Sequence, residues 1–83
     1  MNKPLGYLRE ILSNYTDRSD TAEGIYKRIE KYDYDTEISF VRTLSEKEVS
    51  FLNDILKEEI EHANEEQDEK RSHELNEVYE LLI

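Results

Sequence analysis

Leu5, Leu8, Ile11, Leu12 and Tyr15 recur at the three- and four-residue intervals of a single helix face. They follow Pro4, whose missing N–H suits a first helical position, so the pattern predicts a helix over about 4–15. Asn14 to Thr21 is rich in Asn, Thr, Ser and Asp, which compete for nearby backbone and favour turns. Ser19 or Asp20 can then cap a second helix over about 20–32. Its inner face would be Ile25, Ile29 and Tyr32, with Tyr26 beside them and Lys27, Arg28 and Lys31 opposite. Asp33-Tyr-Asp-Thr-Glu37 marks another turn, and Ile38, Val41 and Leu44 recur after it at three-residue spacing. Ile38-Ser-Phe-Val41 also fits a strand, but no partner strand is visible elsewhere, so a short helix over about 35–43 is expected.

Ser45-Glu-Lys-Glu48 has the form of a capping box, and Val49, Leu52, Ile55, Leu56, Ile60 and Ala63 form the clearest apolar stripe. The stripe vanishes from Asn64 to Glu74 and resumes at Leu75, Val78, Tyr79 and Leu82. Two readings compete. The lack of Gly and Pro after Gly24 favours one helix, long or bent, over about 45–82; the length of the polar run favours a break near Asn64. The first is the expectation. The fold class is then all-α: a small helical bundle of three short helices plus a long or bent C-terminal helix, in a single helical domain over 1–83. Leu75, Val78, Tyr79 and Leu82, with Leu81 and Ile83 nearby, make an apolar end that either the amino-terminal helices or a second chain must cover, as a core-closing or a homodimer face.

Composition changes this picture mainly through charge. The 83 residues carry 21 acidic and 11 basic side chains, a formal net charge of −10. Residues 1–43 hold 8 acids against 7 bases, a net of −1, whereas residues 44–83 hold 13 against 4, a net of −9. Such a field repels phosphate, so neither nucleic acid nor an anionic membrane is an expected partner. Ile, Leu, Val and Phe total 21 of 83, enough for a small core despite 39% charged residues. Cysteine is absent, so no disulfide or thiolate site stabilises the chain and a reducing compartment is expected. No basic-then-apolar leader or apolar run of spanning length is present, so secretion and membrane insertion are not expected.

Candidate chemistry is sparse. Glu59-x-x-His62 has the spacing of helical two-metal carboxylate sites, but such sites need a second copy, and the residue three before His73 is Lys70. No metal or cofactor is expected. The serines and the two histidines form no recognisable catalytic arrangement, and there is no Gly-rich phosphate loop, so an enzyme is not expected. Tyr26, Tyr32 and Tyr34 among Lys27, Arg28 and Lys31 suit a small core closed by tyrosines better than a single-stranded nucleic-acid platform, because Asp33, Asp35 and Glu37 adjoin them. Glu65, Glu66, Asp68 and Glu69 form an acidic strip. It reads either as a solvated helix face, with pairs such as Glu66 to Lys70 or Asp68 to Arg71, or as a docking strip for a basic protein surface.

Leu5-Gly-Tyr-Leu-Arg-Glu10 with Leu12-Ser-Asn14, Ser50-Phe-Leu-Asn53, Glu66-Gln-Asp-Glu-Lys-Arg71 and Glu74-Leu-Asn-Glu-Val-Tyr-Glu-Leu-Leu82 carry a resemblance. In these blocks the chain resembles the sigma-G-dependent, sporulation-specific small acid-soluble spore proteins of endospore-forming bacteria. The middle, Tyr15 to about Thr43, matches loosely. The resemblance implies expression in the developing forespore, a cytoplasmic location in the spore interior and no catalytic residue to carry over. Together with the confined charge it leads to the expectation of a non-enzymatic, acidic protein-interaction module; a structural or reserve spore protein without a specific partner is the alternative.

Overall fold

Asn2 begins the first helix by accepting the Leu5 N–H on its side-chain oxygen at 3.1 Å. The computed structural model describes residues 2–82. Five α-helices follow in order: α1 (Lys3–Ser13), α2 (Asp20–Lys31), α3 (Glu37–Val41), α4 (Glu46–Glu65) and α5 (Glu69–Tyr79), with a final 3-10 turn over Glu80–Leu82. Among the described residues there is no strand.

Each helix start has a side-chain cap, as the unpaired first-turn N–H groups require. Ser19 Oγ accepts from Ala22 at 3.1 Å, Thr36 Oγ1 from Ser39 at 3.2 Å and Asp68 Oδ1 from Arg71 at 3.1 Å. At α4 the capping box is complete: Ser45 Oγ accepts the Glu48 N–H at 3.2 Å, and Glu48 Oε1 accepts the Ser45 N–H at 2.9 Å.

The core is one cluster drawing on every α-helix: Leu5, Leu8, Ile11 and Leu12 of α1, Ala22, Ile25 and Ile29 of α2, Phe40 of α3, Leu52, Ile55 and Leu56 of α4, and Leu75 and Val78 of α5. α5 folds back along α4 and also packs on α1, which in turn covers α2; α3 sits against α5 and the final turn. The stripes of α1 and α4 therefore lie where periodicity put them.

Three expectations are corrected. The helix expected over about 45–82 is two helices, because the chain reverses at 66–68. Gln67 there takes φ 59°, the left-handed region. Its N–H donates to the Asn64 carbonyl at 3.1 Å and that of Asp68 to the Ala63 carbonyl at 2.8 Å, the paired bonds of a Schellman termination. In α3 the buried residue is Phe40, fully enclosed, while Ile38 of the expected stripe is 40% exposed. A five-residue helix has little periodicity of its own, so the larger ring claims the core. Tyr32, expected on the inner face of α2, is its extended C-cap residue and is 53% exposed.

Candidate functional site

Glu65, Glu66, Asp68 and Glu69 are brought together at the hairpin between α4 and α5. Glu65 ends α4, Glu66 is its C-cap, Asp68 caps α5 and Glu69 opens it. All four are exposed. The strip is thus a tip and not the helix face anticipated from spacing. The pairs anticipated from that spacing are absent from the described residues, where none of these four carboxylates makes an ion pair. Arg71 turns inward instead, placing Nη1 3.5 Å from Glu10 Oε1 and its guanidinium 5.8 Å from the Tyr7 ring centroid, so it ties α5 to α1.

Electrostatics at the tip differ on its two sides. Asp68 and Glu69 sit at the amino end of α5, where the helix dipole favours negative charge. Glu65 and Glu66 sit at the carboxyl end of α4, where it opposes them by about 0.3–1 kcal/mol each. His62, one turn back, lines a shallow groove of about 190 Å³ with Glu65 and Glu66. Its Nδ1 is 3.8 Å from Glu59 Oε2, so the Glu-x-x-His pair does share one helical turn. Among the described residues no group of three or more His, Cys, Asp or Glu side chains converges as metal ligands would.

Leu75 and Val78 are fully buried, and Tyr79 and Leu82 pack against the same core, so α1 and α4 cover this face within the chain. Leu81 remains 37% exposed, and Ile83 lies outside the described residues. In the tyrosine-rich segment Tyr26 and Tyr34 pack against the core, while Tyr32 stays exposed. Tyr34 meets Phe40 edge-on with centroids 5.5 Å apart and Tyr32 at 6.2 Å. Of its three cations, Lys27 pairs with Glu23 at 3.0 Å, Arg28 pairs with Glu48 at 2.8 Å, and Lys31 lies 5.4 Å over the Tyr32 ring.

The Arg28–Glu48 pair is what sequence reasoning missed. Its partners are 20 residues apart, on separate helices, and Glu48 already had a local role in the capping box. The hydrogen bond from Arg28 holds the Glu48 carboxyl below the usual carboxylate range, against the opposing effect of burial and with help from Ser45. No described helix is long and apolar enough to cross a membrane.

Residues 1–83 match the model of the family described as CsgA, minor curli fiber component A. The chain is 48% identical over 83 residues, the whole of both chains, to a protein of Bacillus subtilis (strain 168) described as a sigma-G-dependent sporulation-specific SASP protein. No solved structure matches. With both matches running the full length, the chain belongs to the CsgA family and is a relative of the sigma-G-dependent sporulation-specific SASP proteins.

Proposed function

We propose that this chain is a non-enzymatic sporulation protein of the spore interior whose α4–α5 tip docks on a basic surface of another protein. The observation that carries the reading is the tip itself: four exposed carboxylates without an ion pair among the described residues, two of them at the helix end that disfavours them. Charge kept where it weakens the fold points to a use outside the fold. Complementary fields of this kind raise association rates and select partners. The spore setting rests on the description of the B. subtilis relative as a sporulation-specific SASP, a small acid-soluble spore protein, and the non-enzymatic reading on a sequence without a recognisable catalytic arrangement. The fibre in the family description is not carried over, because the described residues are helical and offer no strand edge for chain-to-chain pairing.

The test uses the opposed effects of charge reversal. Glu65→Lys with Glu66→Lys is expected to stabilise α4 by about 0.5–2 kcal/mol, because cations suit a helix carboxyl end. The same variant is expected to lose a salt-sensitive partner captured by the wild-type protein from sporulating-cell extract. Equal capture by both proteins, or capture unaffected by salt, removes the tip as a docking surface. A reserve protein would instead be among the most abundant spore proteins and disappear on germination, with no salt-sensitive partner.

A further inference from the structure

Lys3, Gly6, Tyr7 and Glu10 follow one another along one face of α1 at helical spacing. With Asn2 and Lys70 they line a groove of about 380 Å³ between α1 and the start of α5. Its floor is open because Gly6 carries no side chain; a Cβ built there would meet nothing within 4 Å. Its walls are fixed. Besides capping α1, Asn2 donates through Nδ2 to Glu37 Oε1 at 3.2 Å and to the Asp35 carbonyl at 3.4 Å. On the other side Arg71 holds both Glu10 and the Tyr7 ring.

The charge of this groove departs from the rest of the molecule. Its only carboxylate, Glu10, is neutralised by Arg71 at 3.5 Å, whereas Lys3 and Lys70 make no ion pair among the described residues. The lining is therefore net positive in a chain whose formal charge is −10. Two further grooves have the opposite character: Glu65 and Glu66 line one, and Glu46 lies in an otherwise mostly apolar one beside Val49 and Leu82. α1 also lacks any acid in its first turn, and the Glu37 carboxylate beside Asn2 is engaged by Asn2 Nδ2 at 3.2 Å.

We propose that this groove binds a small organic dianion. The ammonium groups of Lys3 and Lys70 meet its two charges, and its apolar body lies over Gly6 along the Tyr7 side chain. Because ammonium groups act as point charges and not as planar forks, selection is by charge and size. Binding is then weak, salt-sensitive and confined to dianions.

Phenyl phosphate, with benzyl alcohol as its neutral counterpart, is a suitable probe pair in an amide NMR titration of the full chain. Phenyl phosphate is expected to shift resonances of residues 2–10 and 69–71 alone, and less so at high salt, where charges are screened within a few ångströms. Lys3→Glu with Lys70→Glu should weaken that response at least tenfold. Both reversals place an acid in the first turn of a helix, where the dipole favours it, so unfolding does not account for the loss. Gly6→Leu, which fills the floor without changing charge, should weaken it too. No localised shift, an equal response to benzyl alcohol, or binding that survives the double charge reversal overturns the proposal.

Discussion

Arg28 and Glu48 lock α2 to the start of α4 through two parallel bonds, Nη1 to Oε1 at 3.0 Å and Nη2 to Oε2 at 2.8 Å. The side chains are 27% and 15% exposed, and Glu48 Oε1 at the same time accepts the Ser45 N–H at 2.9 Å. One carboxylate thus completes a helix cap and a tertiary tie. Arg28→Ala is expected to destabilise the fold by about 1–3 kcal/mol, the range for hydrogen bonds to charged groups in partly buried positions. Arg28→Lys should recover only part of it, because an ammonium cannot form the fork. Urea denaturation of the three proteins measures both effects, and an Arg28→Ala variant as stable as wild type would show that the tie contributes nothing.

The same pair sets a pH dependence. The folded state holds the Glu48 carboxyl below its ordinary range, so over that window the unfolded chain binds more protons. The contribution is fully present above the ordinary glutamate range and is lost as pH falls through the lowered value. Thermal melts of wild type and Glu48→Gln should therefore differ most near neutrality and converge in acid. A stability difference that stays constant from neutral pH to about pH 2 would contradict this assignment.

Gln67 occupies the one positive φ among the described residues, 59°, where side chains other than glycine are strained. Gln67→Gly is expected to stabilise the hairpin by about 1 kcal/mol, the relief of strain outweighing the greater entropy of the unfolded glycine. Gln67→Val, β-branched, should lose stability by a similar or larger amount. Midpoints of chemical denaturation for the two variants on opposite sides of wild type are the expected result; a Gly variant below wild type would mean that the Gln side chain contributes to the turn in its own right.

What was legible in the sequence follows from how far each signal reaches. The stripes of α1 and α4 are long enough for periodicity to identify the buried face, and Leu5, Leu8, Ile11, Leu12, Leu52 and Leu56 are where it placed them. The break was not, because the chain reverses on Gln67 without the glycine that usually marks such a position. Asp68-Glu69 ahead of the Leu75 stripe is a helix-start signal in retrospect, but the capping role of Asp68 is hidden inside an unbroken polar run. The acidic strip was visible as composition, while its shape depends on that break and so was read as a face. Arg28 with Glu48 and Arg71 with Glu10 join residues far apart in the chain, and no local pattern encodes them.

Phe40 is the clearest case of tertiary context overriding spacing. It is fully buried between Tyr34, at 5.5 Å, and the α5 end of the core, and α3 is only five residues long. Phe40→Ala is expected to cost about 3–5 kcal/mol, a large fraction of the stability of a domain this small. Ile38→Ala, on the exposed side of the same helix, should cost well under about 1 kcal/mol. Denaturation of the two variants in parallel tests the assignment of the inward face, and a reversed order would restore the Ile38 stripe.

Acid should change the charge pattern more than the net charge alone suggests. Of the eight charges that separate the halves, −1 against −9, five come from carboxylates, 8 against 13, and three from Lys and Arg, 7 against 4. With carboxylate charge removed in acid, the Lys and Arg charges remain, 7 in the first half and 4 in the second. Between these states the charge passes through zero near the isoelectric point of about 4.6, where self-repulsion no longer opposes association. Solubility is therefore expected to reach a minimum near that pH and to be high on both sides. At the acid extreme the uncompensated positive charge and the loss of the Glu48 tie both weaken packing, so near-ultraviolet dichroism should fall before helical content does. Turbidity and dichroism followed from pH 7 to 2 measure this, and a chain less soluble at pH 2 than near its isoelectric point would overturn the account.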